Sequence, residues 1–147
     1  MKRMKILYLG NKLSKHGINK TTVETLGENL SKSGFEVVSY SSKKNSFLRI
    51  LDMLFGMLKH RDSAYILIDT YSTSAFWFAF LSSQLARLLD IKYIPILHGG
   101  DLPKRLALNP KLCKMVFFFF YVNISPSEYL KFHFEKFGIS NVICIPN

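Results

Sequence analysis

Short apolar runs alternate with longer segments of helical spacing along the whole chain. Lys5-Ile6-Leu7-Tyr8-Leu9 is a strand-length run closed by Gly10, and Asn11 to Lys20 follows as a polar loop. Thr21-Thr22-Val23-Glu24 has the spacing of a capping box, in which the threonine hydroxyl accepts from a first-turn amide while the glutamate reaches back. Val23, Leu26 and Leu30 then share one helical face until Gly34, which supplies a left-handed stop. Phe35 to Tyr40 alternates as a second strand. Ser46 to His60 is helical yet apolar on nearly every side, which predicts a helix sandwiched in the core or against a partner. Ala64 to Asp69 reads as the third strand, Ser72 to Leu89 as a long helix, and Lys92 to Leu97 as the fourth strand. Asn109-Pro110 predicts a cap followed by proline at the first helical position, with the helix running to about Phe119. Tyr121 to Ile124 is the fifth strand. Ser125-Pro126-Ser127-Glu128 reads as a second capping box with proline at the first helical position. Its helix ends at Gly138, before a sixth strand at Val142 to Ile145.

Six strands separated by helices predict an α/β fold, a Rossmann-like doubly wound parallel sheet with helices on both faces. With right-handed crossovers and the common order 3-2-1-4-5-6, the first strand neighbours the fourth. Connections leave in opposite directions there and open a crevice at the strands' carboxyl ends. The segments Gly10 to Lys20 and His98 to Arg105 are expected to line it together.

The 147 residues fit one domain with a proper core, and 48% hydrophobic with 20% charged residues excludes disorder and fibrous folds. The thirteen phenylalanines raise the aromatic share to 14%, and any surplus over the core points to an apolar surface covered by a partner or a membrane. A net charge of +10 restricts partners to anions: nucleic acid, anionic headgroups or phosphorylated ligands. The basic residues are dispersed, and no nucleic-acid motif with interleaved aromatics accompanies them. That leaves an anionic membrane surface or phosphate-bearing substrates, and no nucleic acid. Cys113 and Cys144 lack metal-ligand spacing and read as reduced thiols of a cytosolic protein. No secretory signal opens the chain. The longest apolar stretches are short or interrupted by Arg49, Asp52, Gln84 or Arg87, below the roughly 20 residues of a spanning helix. The expected location is cytoplasmic, either soluble or peripheral on the cytoplasmic face of the membrane.

His98-Gly99-Gly100-Asp101 is the most informative tetrapeptide. Its glycines let the backbone approach a ligand, a run of amides can cradle an anion, and His98 and Asp101 add a donor and an acceptor at the crevice mouth. A strand-to-helix turn with incidental polar residues is the competing reading. The Gly10 to Lys20 loop holds only Gly10 and Gly17, so it is not a Gly-x-Gly-x-x-Gly turn. Tyr40-Ser41-Ser42-Lys43-Lys44 also lacks the acidic residue a dinucleotide wants. Phosphate contact near Gly17 or by Lys15 competes there with a solvated loop. His16, His60 and His133 have no partners at metal spacing, and no metal site is expected. Asp69 reads as a structural cap for the helix after the third strand.

These segments together resemble the N-terminal domain of the retaining family 4 glycosyltransferases. The resemblance spans nearly the whole chain. It consists of the Met-Lys-Ile-Leu-Tyr start, Gly17 with Leu26-Gly27-Glu28-Asn29-Leu30, Ser33-Gly34-Phe35-Glu36-Val37, His98-Gly99 closing the fourth strand, Ile124-Ser125-Pro126-Ser127-Glu128-Tyr129-Leu130, and Ile145-Pro146-Asn147. Order and spacing carry it. It implies one half of a GT-B fold: residues 1–147 form a single acceptor-side domain, and the donor-binding C-terminal domain is absent. In that family paired glycines facing the donor diphosphate match Gly17-Ile18, and the histidine matching His98 contacts the transferred sugar. The implied activity is retaining transfer of a hexose-type sugar from a nucleotide-sugar donor to a lipid-linked or polysaccharide acceptor. No cofactor or metal is implied, and the chain alone is expected to be inactive. Two other readings stay open. One is a natural split subunit that docks a separate donor-binding chain. The other is a non-glycosyl nucleotide-binding Rossmann protein, against which the missing glycine fingerprint counts.

Overall fold

Every predicted strand is present in the computed structural model, which describes residues 2–12, 14–17, 19, 21–118 and 121–146. The strands are β1 (Lys5–Leu9), β2 (Glu36–Tyr40), β3 (Tyr65–Thr70), β4 (Lys92–Leu97), β5 (Asn123–Ser125) and β6 (Val142–Cys144). All pair in parallel, in the order β2-β1-β3-β4-β5-β6. The fold class is the expected Rossmann-like α/β sheet, but the expected order is wrong: β3, and not β4, lies beside β1. Burial explains the difference. A strand in the middle of a parallel sheet is covered on both faces and favours an unbroken apolar run. Ile66-Leu67-Ile68 is such a run and is fully buried, whereas β2 carries Glu36 and Ser39 and is only half-covered, as an edge permits. The crossover direction therefore reverses between β1 and β3.

The helices are α1 (Thr22–Lys32), α2 (Ser46–Lys59), α3 (Phe76–Leu88), α4 (Leu102–Leu108), α5 (Pro110–Phe117) and α6 (Glu128–Lys136). On one face of the sheet, α1 lays Val23, Leu26 and Leu30 over Ile6, Tyr8, Leu67 and Ile96. On the other, Met53 and Met57 of α2 and Ala79 and Ala86 of α3 cover Leu7, Leu9, Ile66 and Ile68. The same layer continues through Cys113 and Phe117 of α5 and Phe134 of α6, packed with Leu97 and Val142.

Local signals held at most element ends. Glu24 Oε2 accepts from the Thr21 amide at 3.3 Å, and Gly34 and Gly138 end α1 and α6 with φ of 100° and 105°. Others shifted. Ser127, rather than Ser125, caps α6 by accepting from the Leu130 amide, so Pro126 precedes the cap. Asn109 stands at the start of α5, but its side-chain oxygen accepts from Arg105 and not from the helix. The expected loop after β4 contains α4. α3 begins at Phe76 and not at Ser72: the Ser72 carbonyl accepts from Arg105, and the Thr73 carbonyl accepts from both Arg105 and the Phe76 amide in a turn that leads into the helix. Phe119, Ile18, Lys20 and Asn147 lie outside the described residues.

Candidate functional site

Strand alternation puts Tyr8, Gly10, Asp69 and His98 on the α1 side of the sheet at its carboxyl edge. Tyr8 precedes the end of β1, Asp69 sits one residue before the end of β3, and His98 follows β4. Glycine at position 10 is a steric requirement: a Cβ there would collide with Asp69 Oδ2 and come within 2.8 Å of Val23 Cβ. The missing side chain is the space the carboxylate occupies.

Asp69 is the centre of the arrangement. Its Oδ1 accepts from the Tyr8 hydroxyl at 2.8 Å and meets His98 Nε2 at 2.8 Å. Its Oδ2 is buried and accepts nothing from the described residues. With Asp69 Oδ1 as the acceptor, Nε2 is the donor of the pair, and Nδ1 is the ring nitrogen left for another partner. Burial, then the Asp69 charge, raises the Tyr8 phenol far above its ordinary value, so the phenol stays a donor. The same two causes push Tyr71 up to about 12. Tyr71 stacks on the His98 ring with centroids 4.8 Å apart and planes 16° apart, and the His98 amide donates to the Thr70 carbonyl at 2.9 Å. The imidazole is held by an acceptor, a ring and its own backbone. Its side chain remains 13% accessible while that of Asp69 is 1% accessible, so only the histidine can meet a ligand directly.

Two arginines shape the rim. Arg105 of α4 donates through Nε and Nη2 to the Ser72 carbonyl at 3.1 and 2.8 Å, holding the segment after β3. Arg49 of α2 donates to the carbonyls of Lys43 and Lys44, both at 2.9 Å, and to Asn11 Oδ1 at 3.2 Å, holding the segments after β2 and β1 together. Burial lowers its pKa. A groove of about 650 Å³ opens on the α1 side, between Thr21, Thr25 and Leu26 and the sheet residues Leu67, Ile96 and Ile124. Leu67 pairs with Tyr8 and Ile96 pairs with Asp69 in the sheet, while Tyr8, Asp69 and His98 are not among the residues that line the groove.

Of the residues singled out from the sequence, His98 is at this centre, and Gly99 turns the chain away from it with φ of 88°. Gly100 is exposed with room for a Cβ. Asp101 is exposed at the start of α4, and the carboxylate that orients His98 is Asp69 instead. The reading of Asp69 as a helix cap is thus corrected: α3 starts six residues beyond the end of β3 and makes no bond to it. Lys15 and Gly17 lie on an exposed 3₁₀ turn whose contacts go elsewhere, Ser14 to Glu24 and His16 Nε2 to the Ser42 carbonyl. No hydrogen bond among the described residues joins them to His98. Sequence reasoning gave no role to Tyr8 and Arg49, placed Gly10 and Arg105 only at the ends of the two crevice segments, and read Asp69 as a cap. The available signal was an aspartate ending a fully apolar parallel strand, where a carboxyl edge lines a crevice.

Among the described residues, no group of three or more His, Cys, Asp and Glu side chains is placed to hold a metal ion. No helix among them is long and apolar enough to cross a membrane. Fold and site define a Rossmann-like domain with an oriented histidine at its crevice. Compared with protein-family models and with curated proteins, the chain matches none of them.

Proposed function

We propose that residues 1–147 form the acceptor-side half of a GT-B glycosyltransferase that moves a sugar from a nucleotide-sugar donor to a lipid-linked or polysaccharide acceptor. The observation that carries this reading is the Asp69–His98 pair at the carboxyl edge of a parallel sheet. Asp69 and Tyr71 hold the imidazole before any ligand arrives, so no reorganisation is needed when charge develops on the sugar. His98 Nδ1 accepts from a hydroxyl of the transferred sugar, and the groove beside α1 receives the acceptor. Neutralising the donor diphosphate falls to the other half of the enzyme. The Gly17 loop contributes little to this scheme, since its contacts point to α1 and to the segment after β2.

The test is transfer kinetics of the protein carrying both halves, wild type against His98→Ala, beside thermal melts of both. The expected loss is on the order of 10²-fold in transfer, the scale for one positioned contact to a transition state. The 147-residue chain alone should transfer nothing from a UDP- or GDP-sugar. Wild-type transfer by His98→Ala, or turnover by the isolated chain, refutes the reading.

A further inference from the structure

The helix expected to lie in the core or against a partner is open on one side. α2 buries Arg49, Met53, Gly56 and Met57 toward the sheet. Its opposite face carries Phe47, Leu48, Leu51, Phe55 and Leu58, with Phe47 68% and Phe55 60% exposed. Such a stripe at helical spacing cannot be explained by the core, which lies on the other side. α3 packs beside it, with Phe78 under the Arg49 guanidinium, and adds the exposed side chains of Trp77 and Leu81 to the same outer layer.

We propose that this face docks on an anionic lipid bilayer. Charge selects the occupant. Lys43 and Lys44 precede α2, Lys59 and Arg61 close it, and all four are exposed. The single acidic residue of α2, Asp52, points inward and accepts from Ser41 Oγ at 2.6 Å, so the stripe presents no negative charge. Just beyond the helix, Asp62 is already matched by Lys5 Nζ at 2.8 Å. A convex apolar line bracketed by cations at both ends fits a plane of anionic headgroups, with phenyl and leucyl groups reaching the acyl boundary and lysines staying at the phosphates. The whole chain, at +10, adds long-range attraction to the same surface. Docking in this way brings one rim of the crevice to the headgroups, because Arg49 ties the first turn of α2 to Asn11. Docking through α2 does not depend on the transfer reading.

The experiment is co-sedimentation of the 147-residue chain with phosphatidylcholine vesicles, with and without phosphatidylglycerol, at low and high salt. Binding is expected only to the phosphatidylglycerol vesicles and should weaken as salt rises, with a blue shift of Trp77 emission. Phe47→Ser/Phe55→Ser should lower partitioning by about tenfold or more, since both rings would leave the acyl boundary. Both positions are exposed, so the circular dichroism melt of this variant should match wild type. Lys43→Gln/Lys44→Gln should lower binding and flatten its salt dependence. Undiminished binding by the phenylalanine variant overturns the proposal, as does no binding by folded wild type. Concentration-dependent dimerisation that the phenylalanine variant abolishes, without vesicle binding, would assign the stripe to a second copy instead.

Discussion

Replacing Asp69 by alanine removes the acceptor shared by Tyr8 and His98, and the cost depends on what it leaves behind. The Tyr8 side chain is fully buried, so its hydroxyl would lose its partner with no water to replace it. An orphaned buried hydroxyl costs about 1–3 kcal/mol, and a hydrogen bond to a charged group contributes about 1.5–3 kcal/mol. Asp69→Ala should therefore destabilise the chain by about 3 kcal/mol, and Tyr8→Phe alone by about 2 kcal/mol. The double variant lacks both the acceptor and the stranded donor. It should be less destabilised than the sum of the singles by about 2 kcal/mol, well outside the roughly 0.5 kcal/mol expected for independent sites. Urea denaturation of the four proteins, followed by far-ultraviolet circular dichroism with a common slope, gives the coupling directly. Additivity would refute the shared-acceptor arrangement. A loss near 1 kcal/mol for Asp69→Ala with no coupling would return Asp69 to the role of a helix cap.

Gly10→Ala and Gly100→Ala should separate a packing glycine from an incidental one. The first pushes a methyl into Asp69 Oδ2 and Val23 and should cost about 2 kcal/mol, while the second finds open space and should change the melt little. Alkaline pH should weaken the fold. Burial pushes the Cys113 thiol up to about 11 from 9.0, and burial with the Asp69 charge pushes Tyr71 up to about 12 from 10.0. Both groups bind their protons more tightly when folded. Their stabilisation is complete below the unfolded values and is lost as pH rises through the folded ones, so the urea midpoint should fall between about pH 9 and pH 12. Cys113→Ser should remove the lower part of that fall, and an unchanged profile would count against the burial of the thiol.

Periodicity and punctuation determined the elements. β1 and β4 match their predicted limits, α2 differs by one residue, and Gly34 and Gly138 stop their helices as expected. These features are local: each depends on the face a residue turns to its neighbours a few positions away, and on backbone freedom at single glycines. His98 was also legible, because a histidine before two glycines at a strand end announces a turn at the sheet's edge. Its partner was not. Asp69 lies 29 residues before His98 and 61 after Tyr8, and three ordinary residues become one site only when β1, β3 and β4 stand side by side. That adjacency follows from which strand the sheet can bury on both faces, a comparison among all strands at once. The exposure of Phe47 and Phe55 has the same origin. α2 is apolar on most sides, and only the position of the sheet and of α3 decided which side is covered.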